Sequence, residues 1–204
     1  MEITFTIISI AFISVISYLA LNKPQTKYKL LLNPYRVAQN GEYYRMLTSG
    51  FIHADFTHLL FNMLTLFFFG TVVEFELGKL YYVLLFVLGV VVANIPSYLK
   101  YKEMPHYNSL GASGGVSAIL FCSIVYSPVS NIYLYFAIPI KGFIFAVLYL
   151  IYSHHASKKG GDNINHDAHM YGAFFGVAFA FIADFDLAMN GALQIPVWIN
   201  TMFN

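Results

Sequence analysis

Leu80–Leu99 reads LYYVLLFVLGVVVANIPSYL, twenty residues without a single charge. A helix of about 20 apolar residues crosses the hydrocarbon core of a bilayer, so this run argues for a chain embedded in lipid. Working outward from it, five more stretches reach or approach spanning length: 3–21, 58–76, 113–127, 139–155 and 167–184. Over all 204 residues the chain is 58% hydrophobic and 10% charged, with a mean hydropathy of +0.64. A soluble domain carries about a quarter charged residues to cover its surface, and this composition excludes one. The expected fold class is an all-α membrane protein. Six transmembrane helices form one domain over 1–204, and the tail 185–204 is a surface helix.

The connections refine this picture. Residues 22–56 hold five of the eleven Lys and Arg, together with Tyr28, Tyr35, Tyr43, Tyr44 and Phe51. Cations mixed with aromatics suit a loop lying in the membrane interface. Ile132 to Ile138 is too short to span and belongs at the interface as well. Ile3 to Leu21 reads as an uncleaved first helix, because no basic region precedes it and no small-residue cleavage site follows. The single Cys122 excludes an intramolecular disulfide. A net charge of +1 without a long basic run argues against a nucleic-acid partner.

Polar groups inside a membrane are costly and mark functional sites by default. His58 and Asn62 stand four apart on the second stretch and share one helix face. Ser113 opens the fourth stretch in Gly111-Ala112-Ser113-Gly114-Gly115, and His169 opens the sixth in His166-Asp167-Ala168-His169. From His58 to Glu74, Ser113 to Pro128 and His169 to Asp184 the helical rise is about 22–24 Å in each case. The three sets therefore share one depth, on one side of the membrane. Gly172 and Gly176, continued by Ala180, on the sixth helix and Gly111, Gly114, Gly115 and Ala118 on the fourth would let the two helices approach closely. In that arrangement a neutral His169 takes the proton of Ser113 as the hydroxyl attacks a carbonyl. Glu74 and Asp184 lie at the far ends of their helices, so the expectation is a Ser–His dyad. The Ser113 N–H, His58 and Asn62 are the candidate oxyanion donors.

Blander readings exist for each residue. A serine among glycines is ordinarily packing, a histidine at a helix start is ordinarily interfacial, and His58 with Asn62 makes an ordinary interhelical hydrogen bond. Gly111-x-Ser113-x-Gly115 also matches a nucleophile elbow, but that motif requires a preceding strand. His53, His106, His154 and His155 read as interfacial. His166 and His169 lack the further ligands of a metal motif.

Taken together, Tyr44-Arg45, His53 through Asn62, Glu74, Gly111-Ala112-Ser113-Gly114 and Ala168-His169 with Gly172 and Gly176 resemble the rhomboid intramembrane serine proteases, in that family's order and across nearly the whole chain. The resemblance implies cleavage of single-pass transmembrane substrates within the lipid bilayer, without cofactor or metal. It places the nucleophile on Ser113, the base on His169 and the oxyanion donors on His58 and Asn62. Arg45 and Glu74 become structural. Independently of the resemblance, the polar residues His106, Asn108 and Ser109 make their loop the expected entry or cap of the site. Some family members carry a tyrosine four residues after the nucleophile to support the base; Ser117 stands there instead.

Lys and Arg concentrate in the loops at 22–56, 100–112 and 156–166, which the positive-inside rule assigns to the cytoplasm. The resemblance implies the opposite orientation, in a bacterial inner membrane with the site towards the outer face, and that expectation is adopted. An inactive rhomboid-like binding or chaperone module is the alternative, but such relatives typically lack the dyad. A small transporter would distribute ionisable groups through the membrane rather than at one level. Substrate identity and oligomeric state are not legible in the sequence.

Overall fold

The computed structural model describes residues 4–134, 137–159 and 165–203. Helix α1 spans Phe5–Asn22, with the Thr4 side chain accepting from the Ile7 N–H at its start. The Glu74 carboxylate accepts from the N–H groups of Phe5 and Thr6 and from the Thr6 hydroxyl, each at 2.8 Å. These are donors that a helix N-terminus cannot satisfy internally, and the positive end of the helix dipole favours the anion.

The first loop folds into short helices α2 (Pro24–Leu30), α3 (Pro34–Asn40) and α4 (Arg45–Thr48). Arg45, only 1% exposed, organises it. Its guanidinium donates to the carbonyls of Tyr28 and Leu31 and pairs with Glu42. That pairing holds the Glu42 carboxyl below its ordinary pKa.

Helix α5 (Phe56–Thr65), capped by Asp55, runs through a π-turn at Leu66–Gly70 into α6 (Thr71–Tyr101). Gly78, with φ 81° and ψ 169°, breaks α6. A side chain on Gly70 would sit 3.1 Å from the Tyr82 ring. In one continuous helix those residues would lie about 18 Å apart along the axis. The chain therefore folds back at Gly78, where the expected stretches 58–76 and 80–99 meet.

Helix α7 (Ser113–Tyr126) follows, buried on every side from Gly114 to Ile124. A helix apolar all round belongs at the centre of its fold, and α7 packs against α6 and against α9 (His166–Ala183). Between them lie an antiparallel hairpin, β1 (Asn131–Leu134) with β2 (Ile138–Lys141), and α8 (Gly142–Lys159). The hairpin departs from a purely helical expectation. Ile132, Tyr133, Ile138 and Ile140 suit extended pairing, and the segment is too short to span. Helix α10 (Phe185–Phe203) turns away from α9 by 117° at Asp184, whose side chain accepts from the Leu187 N–H. The tail expected at 185–204 is thus helical over Phe185–Phe203.

Phe5–Asn22 and Phe56–Tyr101 are long and apolar enough to cross a bilayer, and α9 with α10 qualifies if that bent pair is one span. Residues 1–3, 135–136, 160–164 and 204 lie outside the described residues, and with them the start of the first stretch and the middle of the loop expected at 156–166. The flanks of that loop are helical, since 156–159 belong to α8 and His166 to α9.

Candidate active site

The backbone entering Ser113 is pinned to the first loop at each step. Leu32 and Ser109 exchange both backbone hydrogen bonds at 2.9 Å, and the Gly111 N–H donates to the Ser49 carbonyl at 2.9 Å. The Ala112 N–H donates to His53 Nε2 at 3.4 Å. An accepting Nε2 puts the His53 proton on Nδ1, which donates to Ser17 Oγ at 2.8 Å; Ser17 in turn donates to the Phe51 carbonyl at 3.0 Å. His53 is therefore not interfacial: it is fully buried and joins α1 to the turn before Ser113. Burial pushes its pKa down to about 3, the neighbouring His58 adding to that and Asp55 opposing it.

Ser113 is the first residue of α7, so its N–H and those of Gly114 and Gly115 lack acceptors within the helix. Gly111 adopts φ 128°, a conformation that glycine alone visits readily. A methyl group there would lie 2.7 Å from His58 Cε1, 2.9 Å from His58 Nε2 and 3.7 Å from Ser113 Oγ. The His58 imidazole and the Ser113 hydroxyl thus border the same small space beside Gly111. The His53 ring packs edge-on against His58 at 4.9 Å and holds it there. Asn62 is buried one turn along α5 and donates one amide hydrogen to the His58 carbonyl at 3.0 Å, leaving a second N–H on the same group.

His169 arrives from α9, which lies parallel to α7 at backbone contact. A side chain on Gly172 would fall 2.2 Å from the Gly114 carbonyl oxygen, and one on Gly176 2.2 Å from that of Ala118. At the helix starts the Asn165 amide donates to Ser109 Oγ at 3.0 Å and to Ser97 Oγ at 2.9 Å, while its oxygen accepts from the Ala168 N–H. Ser109 thus pairs with Asn165, Gly114 with Gly172 and Ala118 with Gly176. Within the helices that register puts residue 113 opposite residue 171, and the Asn165–Ser109 bond ties the two helix starts together, so Ser113 and His169 both lie where those starts meet. Both are half-buried.

Ser117, one turn after Ser113 on α7, meets a tyrosine from another helix. Tyr149 on α8 places its hydroxyl 2.8 Å from Ser117 Oγ and its ring 6.4 Å from the His169 ring, at 28° between planes. His53, Asn165 and Tyr149 are the site residues that the sequence reading missed. For Asn165 the signal was Asn three residues before Ala168 at a helix start, an ordinary N-cap pattern. The loop expected to cap the site is anchored at its base: the Asn33 amide donates to the carbonyls of Pro105 and Tyr107 and to the Asn108 side chain, and Tyr101 stacks on Tyr107 at 3.8 Å. Among the described residues, no three His, Cys, Asp or Glu side chains converge as a metal site.

A family model described as Rhomboid domain matches residues 40–184. The chain belongs to the rhomboid family. It is 27% identical over 150 residues to RHOMBOID-like protein 12, mitochondrial, of Arabidopsis thaliana, covering 66% of this chain and 45% of that one. It is 39% identical over 77 residues to a provisionally named rhomboid protease of Bacillus subtilis (strain 168), YdcA, covering 38% of each. The rhomboid protease AarA of Providencia stuartii is 28% identical over 106 residues, 46% of this chain and 38% of that protein. The chain spans less than half the length of each of these relatives. Family and apolar helices together make it a membrane protein.

Proposed function

We propose that this rhomboid-family protein is an intramembrane serine endopeptidase, a single membrane domain of six transmembrane helices that cuts single-pass membrane proteins in or near their transmembrane segments. The observation that carries the reading is the α7–α9 register, which sets the start of one helix against the start of the other. The small space that Ser113 shares with His58 beside Gly111 supports it.

In this reading Ser113 Oγ attacks the scissile carbonyl carbon while its proton passes to the neutral His169 imidazole. Negative charge develops on the former carbonyl oxygen, which His58, the second Asn62 N–H and the Ser113 N–H stabilise; such preorganised donors are each worth about 2.7–4 kcal/mol. The C–N bond breaks as His169 returns the proton to the leaving amine, giving an acyl-serine and one peptide product. Water then attacks the ester with His169 again as base, releasing the second product and restoring Ser113. The substrate helix has to unwind locally, because its carbonyls are otherwise held in intrahelical hydrogen bonds. Residues of this chain carry every step.

The proposed setting is a bacterial inner membrane, with the site towards the outer face. A fluorophosphonate probe tests the nucleophile without any choice of substrate. Intact-mass and peptide analysis are expected to show one adduct, on Ser113, that is absent from Ser113→Ala and strongly reduced in His169→Ala. An adduct on another serine, or equal labelling of Ser113→Ala, would contradict the assignment.

A further inference from the structure

Four observations converge on the side of His169 that faces α8. Ser117 lies one turn below Ser113 on α7, is 3% exposed, and bonds the Tyr149 hydroxyl at 2.8 Å. The Tyr149 ring lies 6.4 Å from the His169 ring, tilted by 28°. Phe121, one turn below Ser117, packs on Tyr149 at 5.3 Å, and Phe145, one turn before it on α8, at 5.8 Å. His166 stands edge-on to His169 at 5.8 Å. Tyr149 is therefore tied at its hydroxyl to the nucleophile helix, wedged by two aromatic rings, and presented to the imidazole.

The geometry points to Tyr149 as a positioning residue for His169, held by Ser117 and acting through the base rather than on the substrate. This rests on the proposed function. A general base works only if its ring plane and rotamer are fixed where the proton is to be taken, and a small misplacement costs rate steeply. The ring also covers one side of the imidazole, so its removal changes the hydration under which His169 takes up the proton. Because the ring comes from α8 and its anchor from α7, the base is aligned only while those two helices stay docked.

The test measures the rate of fluorophosphonate labelling of Ser113 as a function of pH, with thermal melting recorded for each variant in detergent. Tyr149→Leu removes ring and hydroxyl, and its labelling is expected to fall roughly 10- to 100-fold. The pH midpoint should move, with melting close to wild type. Tyr149→Phe keeps the ring and Ser117→Ala keeps the tyrosine. Each should lose no more than about tenfold, and the double variant should be no slower than either, because both break one bond. Labelling of Tyr149→Leu at the wild-type rate, or a loss with an unmoved pH midpoint that tracks a fall in melting temperature, would overturn the assignment. Wild type that fails to label at all would sink the proposed function instead.

Discussion

His53 joins the Ser17 hydroxyl to the Ala112 N–H in a fully buried site, and only the neutral ring can accept at Nε2 while donating at Nδ1. Its pKa, near 6.5 when unfolded, is pushed down to about 3 by burial. Between those values the unfolded chain binds the proton and the folded chain does not. Stability is therefore full above about pH 6.5 and is lost as pH falls towards 3. Melting temperature in detergent should decline over that window in wild type, and less steeply in His53→Asn; equal slopes would contradict this account. Gly111→Ala probes the neighbouring turn. Its φ of 128° and the His58 ring both oppose a methyl group. The backbone strain alone is of order 1–3 kcal/mol, so a lower melting temperature and loss of Ser113 labelling are expected. Ser113, His169, His58 and Asn62 stood out in the sequence because polar groups in apolar helices carry a cost that function has to justify. Tyr149 did not, since an aromatic in an apolar run reads the same whether it faces lipid or another ring.

At the scale of elements, the meeting of α7 and α9 decides the site. Gly172 faces backbone atoms of Gly114 at 2.2–3.1 Å from where a side chain would begin, and backbone cannot yield as a flexible side chain would. Gly172→Ala is expected to part the helices and lower Ser113 labelling by about 100-fold or more, with reduced melting. Unchanged labelling would mean that the register does not carry the chemistry. This packing was legible because small residues recur at helical spacing on both stretches. The β1–β2 hairpin was not, because a short apolar run carries no period that separates strand from helix. The fold-back at Gly78 was legible in place, since Gly78-Lys79 interrupts two apolar runs. Its positive φ required the coordinates.

Across the whole molecule, the six-span reading puts most cations on the side of the proposed site, yet several are engaged by the protein itself. Arg45 is buried among carbonyls, Arg36 lies 3.6 Å from Glu42, Lys27 donates to the Ala54 carbonyl, and Lys100 lies 3.6 Å from Asp167. Such groups are poorer topology signals than free loop charges, which fits a site on the outer face despite the bias. Glu103 is exposed in the loop before Ser113, and the native Cys122 is buried. In intact cells a membrane-impermeant maleimide should therefore label Glu103→Cys and spare wild type. Labelling of Glu103→Cys only after permeabilisation would reverse the proposed orientation.

The most direct test of the central claim is cleavage of a fused single-pass substrate by purified wild type, Ser113→Ala and His169→Ala in detergent, each shown to be folded. The account predicts two product fragments with wild type and none with either variant. Cleavage that persists in Ser113→Ala would contradict it.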